Sequence, residues 1–216
     1  MKFLFQIQFL FVILMFISCS ASKTETVEVK SESGEVIEVF EITSEDGKKN
    51  GTRKTFDEED GSLVWEESYK DDVLQGTRTL FYANGQLREV ENYENGILVG
   101  EVISYDATGK VLVKTPYINK AGKSVLNGII ERYYPNGQLM EKVTVIDNKF
   151  NGAFEEYYEN GKLKATGNYV EDRFDDPSEI GIVETYDSTG TLLRKLDCTF
   201  DEDKGFSTCK TIWAKE

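Results

Sequence analysis

Apolar and polar residues alternate along this chain in short runs bounded by glycines, from Gly34 to the C-terminal segment. One register organises the runs. A first glycine stands at Gly51, Gly76, Gly100, Gly128, Gly152 and Gly181, and five residues later comes an aromatic: Phe56, Phe81, Tyr105, Tyr133, Tyr157, Tyr186. A turn glycine follows at Gly61, Gly85, Gly109, Gly137, Gly161 and Gly190, with Gly34 in the same role in a degenerate leading unit. Past the turn glycine, positions two, four, six and eight are apolar at 20 of 28 sites, whereas positions three, five and seven are apolar at 7 of 21. That period of two predicts β-strands with one packed face and one wet face.

Each unit therefore reads as strand, tight turn, strand. Asn84-Gly85, Asn136-Gly137 and Asn160-Gly161 are strong hairpin signals and predict positive φ at both residues of each pair. A lone hairpin is marginal in water, so each unit must bury its apolar face with the help of its neighbours. The expected fold is all-β: an elongated antiparallel sheet of stacked hairpins over residues 34–197, one degenerate unit plus six. Wider spacing at 116–127 and 171–180 reads as inserted loops.

Ahead of the array, Met1-Lys2 precedes an apolar run from Phe3 to Ile17, broken only by Gln6 and Gln8. Such a run is a secretory signal, too short for a comfortable bilayer span. It ends at Ser18-Cys19-Ser20, and residues 1–18 resemble a bacterial lipoprotein signal, although Phe16 and Ile17 depart from its usual residues. The resemblance implies acylation of Cys19 and tethering to a membrane of the bacterial cell envelope, the outer membrane above all, on its periplasmic or surface side. Each buried methylene of such an anchor contributes about 0.8 kcal/mol. Residues 19–33 then form the acylated Cys and a polar tether, with Val27 and Val29 starting the first strand.

Charge narrows the partners. A net charge of -14 without a Lys/Arg patch repels nucleic acid and suits a soluble, monomeric array. With no His in the chain, Ser-His and Cys-His nucleophiles and His-bearing zinc sites are excluded. The glycines sit at hairpin spacing, not in a phosphate-cradling motif. Asp201-Glu202-Asp203-Lys204-Gly205 has only part of a calcium loop. Glu155-Glu156 and Asp175-Asp176 are acidic pairs, but acid–base hydrolysis needs two carboxylates across a cleft, which a one-layer sheet lacks. No catalytic, cofactor or metal residue is assigned, and the chain is not read as an enzyme.

Two sets of residues remain. Tyr133-Tyr134 and Tyr157-Tyr158 place one ring on each face of a strand. Packing between hairpins is the plain reading, and an exposed stripe of Tyr82, Tyr134 and Tyr158 that binds a glycan or peptide is the sharper one. Cys198 and Cys209 flank a turn-like segment, so a final hairpin over 198–216 would face them for a disulfide in an oxidising compartment. Phe200, Phe206, Ile212 and Trp213 would supply the apolar material of a cap over the last unit.

The segments Phe81-Tyr82-Ala83-Asn84-Gly85-Gln86-Leu87, Tyr133-Tyr134-Pro135-Asn136-Gly137-Gln138-Leu139 and Tyr157-Tyr158-Glu159-Asn160-Gly161-Lys162-Leu163 resemble the bacterial MORN-variant repeat. The resemblance covers about residues 34–200 and implies stacked hairpins that bind a protein or a membrane without catalysis. Some similar proteins are called YwqK-type antitoxins. The expected function is thus a lipid-anchored envelope scaffold that binds a protein or glycan; the alternative is a toxin-neutralising or immunity partner.

Overall fold

The computed structural model describes residues 24–172 and 178–215; the leader, Cys19 and the pair Asp175-Asp176 lie outside the described residues. Sixteen strands are described, in chain order: β1 (Thr24–Lys30), β2 (Val36–Thr43), β3 (Lys49–Phe56), β4 (Leu63–Lys70), β5 (Val73–Phe81), β6 (Leu87–Glu94), β7 (Ile97–Tyr105) and β8 (Val111–Lys120). Then follow β9 (Lys123–Leu126), β10 (Gly128–Tyr133), β11 (Leu139–Ile146), β12 (Lys149–Tyr157), β13 (Leu163–Asp172), β14 (Ser178–Tyr186), β15 (Leu192–Asp201) and β16 (Phe206–Ala214). All join one antiparallel sheet in sequence order, except that β9 lies off the path and pairs with β8. The all-β stacked-hairpin expectation is met. The six full units are β3–β4, β5–β6, β7–β8, β10–β11, β12–β13 and β14–β15, with β1–β2 leading.

The turns differ from expectation in an instructive way. Within a unit, Gly85 N–H donates to Tyr82 O at 2.8 Å and Tyr82 N–H to Gln86 O at 2.9 Å. Gly85 has φ 79°, but Asn84 is not among the positive-φ residues. This is a three-residue loop, a type I turn with glycine at its left-handed position, so only the glycine needs that freedom. The two-residue turns with both φ positive lie between units, at Asp71-Asp72, Asn95-Gly96, Ala121-Gly122 and Asp147-Asn148.

The first glycine of each unit marks a bulge. Val143 pairs with Phe154 and Val145 with Phe150, so Thr144 faces more than one residue of β12. Gly152 sits there with φ 118°, and a Cβ on it would lie 3.1 Å from Thr144. A bulge of this kind re-aims the strand and adds twist between hairpins.

Three segment boundaries shift. The 116–127 spacing is not a loop: β8 runs on through it and turns at Ala121-Gly122 into β9. Residues 178–180 of the second spacing likewise belong to β14. β1 already begins at Thr24 within the expected tether, because Thr24, Thr26, Val27 and Val29 give it a β-branched strand that pairs with β2. At the other end β16 adds one more strand to β15 and forms no lid; Phe206, Ile212 and Trp213 stay exposed.

The core lies on one face of the C-terminal half. Ile130, Val143, Val145, Phe150, Phe154, Ala165, Val183 and Cys198 form it, flanked by Val113, Leu126, Tyr169 and Leu196. Phe154 stacks on Tyr169 with centroids 4.4 Å apart. The ring needs a partner without a side chain, and Gly167 supplies it: a Cβ there would fall 2.7 Å from Phe154.

Candidate interaction face

On this same packed face, units one and two carry charge where the later units carry hydrocarbon. Cross-strand neighbours Arg53, Glu67, Arg78 and Glu91 run in one row over β3, β4, β5 and β6. Arg53 forks onto Glu38 with Nε–Oε1 2.8 Å and Nη2–Oε2 3.1 Å, and its Nη1 donates to Glu67 Oε2 at 2.8 Å. Arg78 Nε lies 3.6 Å from Glu67 Oε1 and 3.3 Å from Glu91 Oε2, without a hydrogen bond of good geometry. Its guanidinium sits 4.1 Å over the Trp65 ring. Arg53, Thr55, Trp65, Glu67 and Arg78 surround a shallow pocket of 210 Å³.

Arg53 ties the first part of the row together through the strong class of charge-assisted and bidentate pairs. Glu67 is only 6% exposed yet is met by two guanidinium groups. Arg53's hydrogen bond holds the Glu38 carboxyl below its ordinary value, against partial burial. Burial pushes Glu91 up despite the pull of Arg78. Tyr69 and Tyr93 donate to Glu67 at 3.3 Å and to Glu91 at 3.1 Å, and burial, then these carboxylates, raise both phenols.

Sequence reading missed this row. Glu38, Glu67, Glu89 and Glu91 are among the eight exceptions to the apolar pattern past the turn glycines, and the exceptions were the available signal. Arg53 and Arg78 occupy the position filled by Ile130, Phe154 and Val183 in later units, each two residues past the first glycine.

The tyrosines of the expected stripe line the turn edge, half-buried. Tyr82 donates to Tyr105 O, Tyr134 to Tyr157 O and Tyr158 to Tyr186 O, each at 2.8 Å. The asparagines two residues on do the same: Asn84 reaches Ala107 O at 2.9 Å, Asn136 reaches Glu159 O at 2.9 Å, and Asn160 reaches Ser188 O at 2.8 Å. Every Tyr-x-Asn-Gly turn thus staples its unit to the next. The hydroxyls are spent inside the array, which leaves ring faces for any partner. Their neighbours Tyr133 and Tyr157 donate across the opposite face to Glu131 at 2.6 Å and Glu155 at 2.5 Å. Burial, then these bonds, push both phenols up to about 12.

Asp turns behave otherwise. Asp106 accepts from Thr108 N–H at 2.8 Å and Lys110 N–H at 3.0 Å, closing on itself, and Lys110 Nζ alone reaches forward to Pro135 O. Asp201 is likewise taken by Lys204, whose ammonium lies 2.8 Å away. The adjacent Glu155 and Glu156 point to opposite faces, one bound by Tyr157 and the other by Lys164 at 2.8 Å. Cys198 and Cys209 face each other across β15 and β16 with sulfurs bonded at 2.04 Å.

No curated protein matches the chain. Among solved structures, a chain of the crystal structure of TcdB2-TccC3-Cdc42 is similar at 13% identity with a TM-score of 0.21. The match covers 85% of this chain but 12% of that one, so the present chain spans a small part of its length. The MORN repeat variant model matches residues 74–95, 98–119, 126–147 and 150–171. Each match falls on one hairpin, so units two to five are similar in sequence to the MORN repeat variant.

Proposed function

We propose that this protein is a lipid-anchored scaffold of the bacterial cell envelope, acylated at Cys19, that binds an extended protein on the packed face of units one and two. One observation carries the reading: ionisable groups occupy positions that the same repeat fills with hydrocarbon elsewhere. Partly buried ion pairs are weak evidence for stability, so a role in recognition is the better account of their retention. Arg and Trp are the side chains that most often anchor interfaces. A protein fits better than a glycan because one face of Trp65 is already taken by Arg78. Catalysis has no support from carboxylates that are already paired with Arg53 and Arg78.

A photo-crosslinking residue at Thr55 of the full chain, used in intact cells, tests this. It should capture one dominant protein, and Trp65→Ala should abolish capture. Equal capture from Ala153, on the opposite face of the later units, would remove the assignment. A captured toxin whose action the chain blocks would make the role neutralisation. For the anchor, a fatty-acid analogue should label wild type but not Cys19→Ala; equal labelling contradicts it.

A further inference from the structure

The cross-strand disulfide is asymmetric. Cys198 is 3% exposed inside the apolar cluster, whereas Cys209 stands exposed on β16, the last strand of the sheet. A carboxylate joins them: Glu179 on β14 brings an oxygen to within 4.8 Å of both sulfurs. With the sulfurs bonded to each other, this trio is not set up to hold a metal.

We propose that Cys209 is a thiol-exchange site at which an external thiol forms a mixed disulfide, with Cys198 as leaving group and Glu179 as its proton donor. The external thiolate attacks Cys209 Sγ, the S–S bond breaks, and its electron pair leaves on Cys198 Sγ. The protonated Glu179 carboxyl passes its proton to that sulfur, giving Cys198 thiol and Glu179 carboxylate. No net oxidation occurs, because the attacking thiol is oxidised as Cys198 is reduced. Access favours this direction, and the proton donor offsets what opposes it. Only Cys209 is open to attack. A thiolate left in the apolar cluster is poorly solvated, so a nearby proton source matters most at Cys198. Burial, then Glu156 of β12, raise the Glu179 carboxyl, while Arg194 of β15 lowers it; Tyr169 faces it from β13. The consequence is mechanical: among the described strands β16 is paired only with β15, so exchange releases a covalent hold on this edge strand.

The full chain in detergent, treated with reduced glutathione and an excess of alkylating agent, reads this out by peptide mapping. Glutathione should sit on Cys209 with Cys198 alkylated, in about tenfold excess over the reverse pattern. The rate per glutathione thiolate should fall as pH rises through the titration of Glu179, and Glu179→Gln should be several-fold slower and lack that fall. Equal adducts on both sulfurs, or none while the protein stays folded, would overturn the site. A Glu179→Gln rate equal to or above wild type would mean that the carboxylate only repels the thiolate, and would overturn its role as donor. The regiochemistry is measured on wild type, so instability of the variant cannot obscure it.

Discussion

Two residues past the first glycine, units one and two carry Arg53 and Arg78, while units four to six carry Ile130, Phe154 and Val183. Their partners across the turn are Glu67 and Glu91 in the first set, and Val143, Gly167 and Leu196 in the second. Backbone register, bulge glycine and turn glycine are common to both. What holds the repeat in register is thus its backbone, namely ladder bonds, left-handed glycines and turn staples. The face content is left to set local stability. Fully burying a Val or Phe contributes about 1.5–3 kcal/mol, whereas a partly exposed ion pair contributes about 0–1 kcal/mol and weakens in salt. The later units should therefore be the stable part, and the early ones the salt-sensitive, exchangeable part suited to a partner. Unit three stands between, with Val102 buried beside Thr115.

Breaking the apolar half gives the largest effect. Phe154→Ala removes the ring stacked on Tyr169 and should cost about 3–5 kcal/mol, read from urea unfolding of the array. Gly167→Ala fills space the ring occupies and should cost about 1–3 kcal/mol. In a Phe154→Leu background that second cost should shrink, and an unchanged cost would separate the two residues. Breaking the charged half by Glu67→Ala leaves Arg53 and Arg78 facing each other without their shared carboxylate. We expect a loss of about 1–3 kcal/mol, smaller in high salt, whereas the Phe154→Ala cost should not respond to salt.

Staples come next. Asn136→Ala should cost about 1 kcal/mol by losing its bond to Glu159 O and the one its Oδ1 accepts from Gln138 N–H, and Asp106→Ala should cut less into coupling because its bonds stay within its own turn. Thermal melts with protease probing at the unit four–five joint compare the two.

The smallest effect is in pH. Glu38 has a lowered folded value, so its contribution is present above the unfolded value near 4.5 and is lost as pH falls through the folded one. Glu91 has a raised folded value, so deprotonation opposes folding and stability falls as pH rises past 4.5. Hence Glu38→Gln should flatten the loss of stability below pH 4.5, and Glu91→Gln should remove a fall in stability as pH rises past 4.5.

The strands and units were legible because a period of two and a fixed glycine register report backbone geometry directly. Ala121-Gly122 as a turn was not, because β8 and β9 carry Lys120 and Lys123 at the tip and lack a clean apolar alternation. Asn84 was read as a backbone residue because Asn-Gly signals a two-residue turn. Its actual task, a side-chain bond to the next unit, needs the stacked partner to be seen. The Arg–Glu row is only half legible: Glu67 breaks the apolar pattern of the packed face, but its pairing with Arg53 follows only from the β3–β4 register.

Native-state hydrogen exchange on the whole array, at low and high salt, tests the contrast between the halves most directly. The account predicts the slowest amides in β10 to β15, unchanged by salt, and faster amides in β3 to β6 that accelerate as salt rises. Uniform protection along the sheet, or an early half indifferent to salt, would contradict it.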